Sequence, residues 1–235
     1  MGLGNTGMSR TRHNAGMMLV DHLAELWGAR WERSGLYELA RCDRRAGDDA
    51  ELVLVKPRGF MNVCGPAIAS AVKDFRVAVD TQLLVAHDDL QREMGKVSPK
   101  QGGSASGHNG VLSTIASLRT DSFQRLRIGI GRPTNADYVA EYVLERFTPR
   151  EYDVFTGTVL PLCDSLVNVL VRPPPPPKAA AAPKQNKAKP AKESPADPPA
   201  TVGSASSSSP SSSVSPSPST FPDVSTSVGI ANKKL

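Results

Sequence analysis

His13 stands in Thr11-Arg12-His13-Asn14, immediately before an apolar helical pattern, and Asp88 and Asp89 follow an apolar run that ends at His87. An imidazole can take and return a proton near neutral pH. A carboxylate beside it orients the ring and stabilises its protonated form. In open α/β sheets such groups collect at strand ends. On spacing alone, His13 with Asp88 is one pairing among several. Three asparagines add carboxamides that both donate and accept: Asn5 in Gly4-Asn5-Thr6-Gly7, Asn62 in Gly59-Phe60-Met61-Asn62, and Asn109 in Gly107-His108-Asn109-Gly110. Singly, each reads as a cap or turn residue. Gathered round one His and one Asp, they would make a polar, metal-free hydrolytic site.

Other chemistries fit less well. Gly2-Leu3-Gly4-Asn5-Thr6-Gly7 matches G-x-G-x-x-G, but only Met1 precedes it, and Asp21 and Glu25 fall inside the first helix pattern. A dinucleotide site needs a strand before the first glycine and an acidic residue about 20 positions on. The glycines read instead as a tight turn presenting Asn5. Cys64 has no evident basic neighbour to activate it, and no G-x-S-x-G elbow is present. Three widely spaced cysteines without a CxxC point away from a disulfide scaffold or structural zinc and towards a reducing compartment.

The elements that must position these groups follow from periodicity. Residues 15–27 place Leu19, Leu23, Leu26 and Trp27 on one helical face. Residues 36–42, 51–56, 82–87 and 125–130 read as strands, the second nearly all apolar and therefore interior. Pro66 starts a helix carrying Ile68, Ala71, Val72 and Phe75. Asn109 is the expected N-cap of a helix carrying Val111, Ile115 and Leu118. Helices near 136–146 and 150–170 follow, the second with Tyr152, Phe155, Val159, Leu162 and Leu166 on one face and a kink at Pro161. This alternation predicts one α/β domain over 1–172, a three-layer α/β/α sandwich on a mostly parallel mixed sheet.

The last part of the 235-residue chain differs. From Pro173 to Leu235 lie 14 of the 20 prolines and 14 serines, with one Phe and no Tyr or Trp. Such a segment buries too little apolar surface to offset ordering, so 173–235 reads as a disordered tail opening with a five-proline spacer. The tail holds a net +4 of the chain's +5. Within the domain, Lys96, Lys100, Arg119, Arg125, Arg127 and Arg132 face only Asp121 across residues 96–132. That cluster suits a phosphate-binding face. No unbroken run of about 18 apolar residues occurs, so no spanning helix or membrane partner is expected. Nothing near Met1 has the layout of a secretory signal.

Five blocks occur in order: GLGNTG–TRHNAG, KPRGFMNVCG, VAHDDL, GGSASGHNG and FQRLRIGIGRP. Together, over residues 1 to about 170, they resemble the bacterial-type peptidyl-tRNA hydrolase family. The resemblance implies hydrolysis of the ester joining peptide to tRNA, without a cofactor or metal, by a monomer of the cytoplasm or the mitochondrion. By motif, His13 matches the catalytic base and Asp88 its supporting acid. Asn5 matches the residue that helps tell peptidyl-tRNA from free aminoacyl-tRNA. Asn62 and Asn109 match residues that bind substrate or position water, Phe60 a tRNA-contacting aromatic, and Met61 a pocket residue. Lys100 and Arg127 match a basic pair that grips an acceptor-stem phosphate. The chain departs from the pattern in three places. The family's apolar first strand is missing before the glycine loop, Thr6 stands where Pro is usual, and the Gly7–His13 loop is short and lacks a Tyr. A catalytically inactive RNA-binding protein on the same fold is the alternative reading.

Overall fold

A computed structural model describes residues 1–42 and 51–171. The tail 173–235, expected to be disordered, lies outside the described residues. A 3-10 turn at Arg12–Asn14 leads into α1 (Ala15–Leu26), β1 (Trp31–Ser34), β2 (Tyr37–Cys42) and β3 (Leu52–Pro57). A second 3-10 turn, Met61–Val63, precedes α2 (Gly65–Asp74), α3 (Val79–Gln82), β4 (Leu84–Asp89), β5 (Val97–Gln101), α4 (Asn109–Leu118) and β6 (Gln124–Gly129). A third, Ala136–Tyr138, opens α5 (Val139–Leu144), and α6 (Pro149–Val154) continues through a π-helical turn, Phe155–Val159, into α7 (Leu160–Leu170).

β1, β2 and β3 pair antiparallel in that order, and β6 lies between β4 (parallel) and β5 (antiparallel). Met1–Leu3 joins the two groups. Gly2 N donates to Val55 O at 3.0 Å, Ala86 N to Met1 O at 2.8 Å, and Leu3 N to Ala86 O at 2.9 Å. The first strand, expected to be missing, is therefore present in reduced form, with Gly2 in a parallel bridge to Ala86. The sheet is mixed as expected. Among the described residues, however, parallel pairing is confined to this centre, and both flanks are antiparallel.

The pleat sends alternate residues to opposite faces. Ala40, Leu54, Ala86 and Leu126 join Leu19 and Leu23 of α1 and Phe155, Val159 and Cys163 in one core. Leu39 and Val55 pack with Ala67 and Ala71 of α2, while Val85 packs with Ile68 and Val111, on the other side. Helices on both faces complete the three layers. Leu26, expected on the buried face of α1, is 54% exposed at the last turn. The break expected at Pro161 occurs as the π turn just before it. The widened turn adds a residue, so the buried stripe runs through Cys163 and Val167 rather than Leu162, which is exposed, and Leu166. Pro149–Leu170, with mean hydropathy 1.3, has the length and composition of a spanning helix, although charged residues interrupt its apolar run. Phe155, Val159 and Cys163 are nonetheless fully buried in the core.

α1 approaches the sheet very closely. A Cβ on Gly16 would stand 2.3 Å from Ala86 O and 2.7 Å from Leu3 N, and one on Gly2 would stand 2.1 Å from Gly16 O. Two glycines face to face let the first turn of α1 lie on the strand backbone, and this turn directly follows His13. Gly16→Ala should cost about 1–3 kcal/mol through overpacking against backbone that has no rotamer to yield. A urea midpoint equal to that of the unsubstituted chain would refute the close approach.

Candidate active site

Asp88 lies at the carboxyl end of β4 and is 2% exposed. His13 Nδ1 is 2.9 and 3.0 Å from its two carboxylate oxygens, and His108 Nε2 is 2.9 Å from Oδ1. Burial pushes the Asp88 carboxyl up. The N–H groups that His108 and His13 present to it outweigh burial and hold the group well below the usual carboxylate range. A carboxylate only accepts, so each imidazole presents N–H to it. For His13 this leaves Nε2 as the basic nitrogen.

His108, rather than the expected Asn109, caps α4. Its Nδ1 accepts from Gly110 N at 3.1 Å and Val111 N at 3.3 Å. Its proton therefore sits on Nε2, towards Asp88. The rings of His13 and His108 are 4.9 Å apart, and those of His108 and His87 are 4.8 Å apart. His13, Asp88 and His108 are also the group, among the described residues, whose ligand atoms lie close enough to hold a metal ion, within 4.8 Å of one another. The fit is poor. Binding through His108 Nε2 would move its proton to Nδ1, against two backbone N–H donors.

The expected residues do not all share one cavity. His13, Asp88, His108, Asn109, Lys100, Arg125 and Arg127 line a space of about 450 Å3 walled on one side by Val139, Ala140 and Val143 of α5. Asn5 lines a separate groove of about 700 Å3 with Asn14, Met17 and Tyr152. Phe60, Met61 and Asn62 line neither. Phe60 is 65% exposed and Asn62 is exposed, whereas Met61, expected in the pocket, is only 3% exposed. A Cβ on Gly110 would meet its sulfur at 2.3 Å, so Met61 supports the first turn of α4 from below. Asn5 acts on the same turn, its Oδ1 accepting from Met61 N at 2.7 Å while its backbone is bracketed by the Asn14 carboxamide. Thr6 pairs with Gly59 in both directions, N–H to O and N–H to Oγ1, each at 2.9 Å. Proline, which lacks both the N–H and the hydroxyl, could make neither bond.

Lys100, Arg125 and Arg127 share one face of the sheet, since Lys100 pairs with Arg125 and Ser98 with Arg127. Burial first, then Arg125 and Arg127, push the Lys100 ammonium down, a mutual repulsion that an anion would relieve. Arg125, 2% exposed, donates to Gly102, Gly103 and Ser104 carbonyls and so anchors the loop leading to His108. Arg127 donates to Ser98 Oγ at 3.2 Å and lies 3.8 Å from Asp89. Cys64 is no nucleophile, since burial pushes its thiol up to about 11. The sequence pattern did not single out His108, and it placed Arg125 in the basic cluster without its role as anchor of this loop. The available signal was a His directly before a helix start, with its Nδ1 in the place of a Ser or Asp oxygen.

A family model described as peptidyl-tRNA hydrolase matches residues 1–190. The chain belongs to the peptidyl-tRNA hydrolase family. A probable peptidyl-tRNA hydrolase of Mus musculus is 38% identical over 179 residues, 72% of this chain and 81% of that one. A peptidyl-tRNA hydrolase of Mycobacterium tuberculosis is 47% identical over 156 residues, 64% of this chain and 79% of that one. A crystal structure of the Acinetobacter baumannii enzyme superposes with a TM-score of 0.67 at 30% identity, covering 72% of this chain and 86% of that one.

His87 gives a pH prediction. It is 4% exposed, Nδ1 lies 2.6 Å from the Asp88 carbonyl oxygen, and Nε2 is buried without a partner. Burial first, then His108, pull it down to about 3. Its ordinary value is about 6.5, so between these pH values the unfolded chain binds the extra proton. The contribution is complete above about 6.5 and is lost as pH falls towards 3, costing about 2 kcal/mol by pH 5. Urea titrations should show this loss in the unsubstituted chain and a flatter profile in His87→Asn, which keeps an N–H for the Asp88 carbonyl. Equal slopes would contradict it.

Proposed function

We infer that the chain hydrolyses the ester linking the peptide to the terminal ribose of peptidyl-tRNA and frees the tRNA for reuse. Family membership gives the reaction, and the observation that carries the mechanism is the His13–Asp88 contact in a cavity bordered by basic strands. His13 Nε2 takes a proton from water, and the hydroxide formed attacks the ester carbonyl. The proton then passes to the ribose oxygen as the carbon–oxygen bond breaks, leaving a peptide carboxyl and a tRNA hydroxyl. Asp88 keeps the ring aligned and stabilises its positive charge in the transition state, an effect of about 10²–10⁴-fold for a positioned base.

Asn109, exposed at the start of α4 and lining the same cavity, donates its carboxamide towards the ester oxygen, while Asn62, exposed on the Met61–Val63 turn outside that cavity, is left to bind a more distant part of the substrate. Asn5 has its Oδ1 committed to Met61, so its NH2 group is what it offers the peptide. Lys100 and Arg127 hold an acceptor-stem phosphate, and exposed Phe60 offers a ring for the unpaired 3′ end. These contacts read backbone and chain end, as suits an enzyme whose substrates differ in sequence. An RNA-binding protein without catalysis would have no use for a buried carboxylate oriented by two imidazoles.

His13→Ala should lower kcat about 10²–10⁴-fold with tRNA affinity nearly unchanged, measured by release of tRNA from an N-blocked aminoacyl-tRNA. Unchanged turnover would remove His13 from the mechanism. Lys100→Ala should weaken tRNA binding and lower the salt slope by about one unit. Identical binding curves across salt concentrations would remove the phosphate grip.

A further inference from the structure

We propose that Arg12 is a positioning residue whose buried guanidinium fixes the catalytic imidazole to the wall of the substrate cavity. The proposal rests on His13 being the base. Arg12 precedes His13 and is 4% exposed, far below what a surface arginine shows. Nε and Nη2 grip Glu151 as a fork, at 3.2 and 2.8 Å. Nη1 donates to Tyr142 O and Glu145 Oε2, both at 3.0 Å. The guanidinium also lies over the Tyr142 ring, 4.1 Å from its centre. The main chain follows the same course. Arg12 N donates to Glu145 O and Phe147 N to Arg10 O, both at 3.0 Å, round an antiparallel bridge between Thr11 and Arg146.

Every one of these partners lies in α5, in the connection after it, or in α6. α5 is also the cavity wall, through Val139, Ala140 and Val143. Its Tyr142 hydroxyl reaches Ile130 O at 2.5 Å, just beyond β6, so the wall is itself pinned to the sheet. The imidazole is thus set from two sides. Asp88 holds Nδ1, and the Arg12 fork sets the backbone from which the ring projects. Without the fork, the main-chain bonds to Glu145 and Phe147 still tether the loop but no longer hold it rigidly against the wall, and a shift of about 1 Å at a reacting atom costs about 10²-fold in rate.

The test is steady-state hydrolysis of an N-blocked aminoacyl-tRNA by the full chain and three variants. Arg12→Met should lower kcat about 100-fold with KM within about threefold. Arg12→Lys keeps the charge but not the fork and should lose about tenfold. Glu151→Gln keeps an oxygen for the capping box with Thr148 and for Nη2 but turns its NH2 towards Arg12 Nε, donor against donor, and should lose about threefold or more. A proton NMR spectrum adds a signature that a purely structural role would not move selectively. The downfield imidazole N–H of His13 should broaden in Arg12→Lys while that of His108 remains. kcat within twofold of the unsubstituted chain in both Arg12→Lys and Glu151→Gln would overturn the proposal, as would a loss confined to KM. These two variants decide the matter if Arg12→Met does not fold. If the unsubstituted chain releases no tRNA, the proposed function falls, and the His13 N–H signal alone decides whether Arg12 positions the ring.

Discussion

A carboxylate buried to 2% exposure at the end of β4 must be paired with donors, because an uncompensated charge in that position costs several kcal/mol. Asp88 finds its donors on two remote segments. One comes 75 residues earlier, before α1, and the other 20 residues later, at the start of α4. The layers of the sandwich have to bring both helix starts to the same strand end. The facing glycines at 2 and 16 let α1 close on the sheet, and the Asn5–Met61 bond fixes the turn beneath α4.

Charge of opposite sign is kept next to this anion but apart from it. The positive side chains stand on β5 and β6, the strands beyond β4, and face the same cavity. Asp89 partly balances Arg92 and Arg127, and Arg125 spends its donors on loop carbonyls. The nitrogens Nε of Arg125 and Arg127 remain buried without a hydrogen-bond partner, and that of Arg92 meets Asp89 only as an ion pair at 3.4 Å. A site with donors in surplus on one side and an anion holding two imidazoles on the other suits a substrate that brings phosphates to one end and an ester to the other.

Much of this was legible in the residues. Strands and helices rich in apolar periodicity announced themselves, and so did the cluster of Lys and Arg. The weak signals came from short or irregular pieces. β5 contains Pro99 and carries mostly polar residues, so nothing in its pattern resembles a strand; its place as an outer member comes from pairing with β6. Met1–Leu3 is too short for any periodicity and is a strand only because β3 and β4 leave a gap of one strand's width. The stripe on the last long helix slips by one residue after Val159, since an i→i+5 turn leaves no mark on composition. His13 and Asp88 were legible as residue types but not as a pair, because no local rule joins positions 75 apart. His108 was masked by Asn109, the commoner capping residue.

The ring of His108 carries one further implication. One nitrogen holds the amides of Gly110 and Val111 and the other holds Asp88, so a single aromatic plate bridges the positive end of a helix dipole and a buried anion. Fraying of that helix end and desertion of the anion are then one event rather than two. Any breathing of the first turn of α4 releases amide protons to solvent at the moment the carboxylate loses half of its support, so exchange at Gly110 and Val111 reports directly on how often the resting site comes apart.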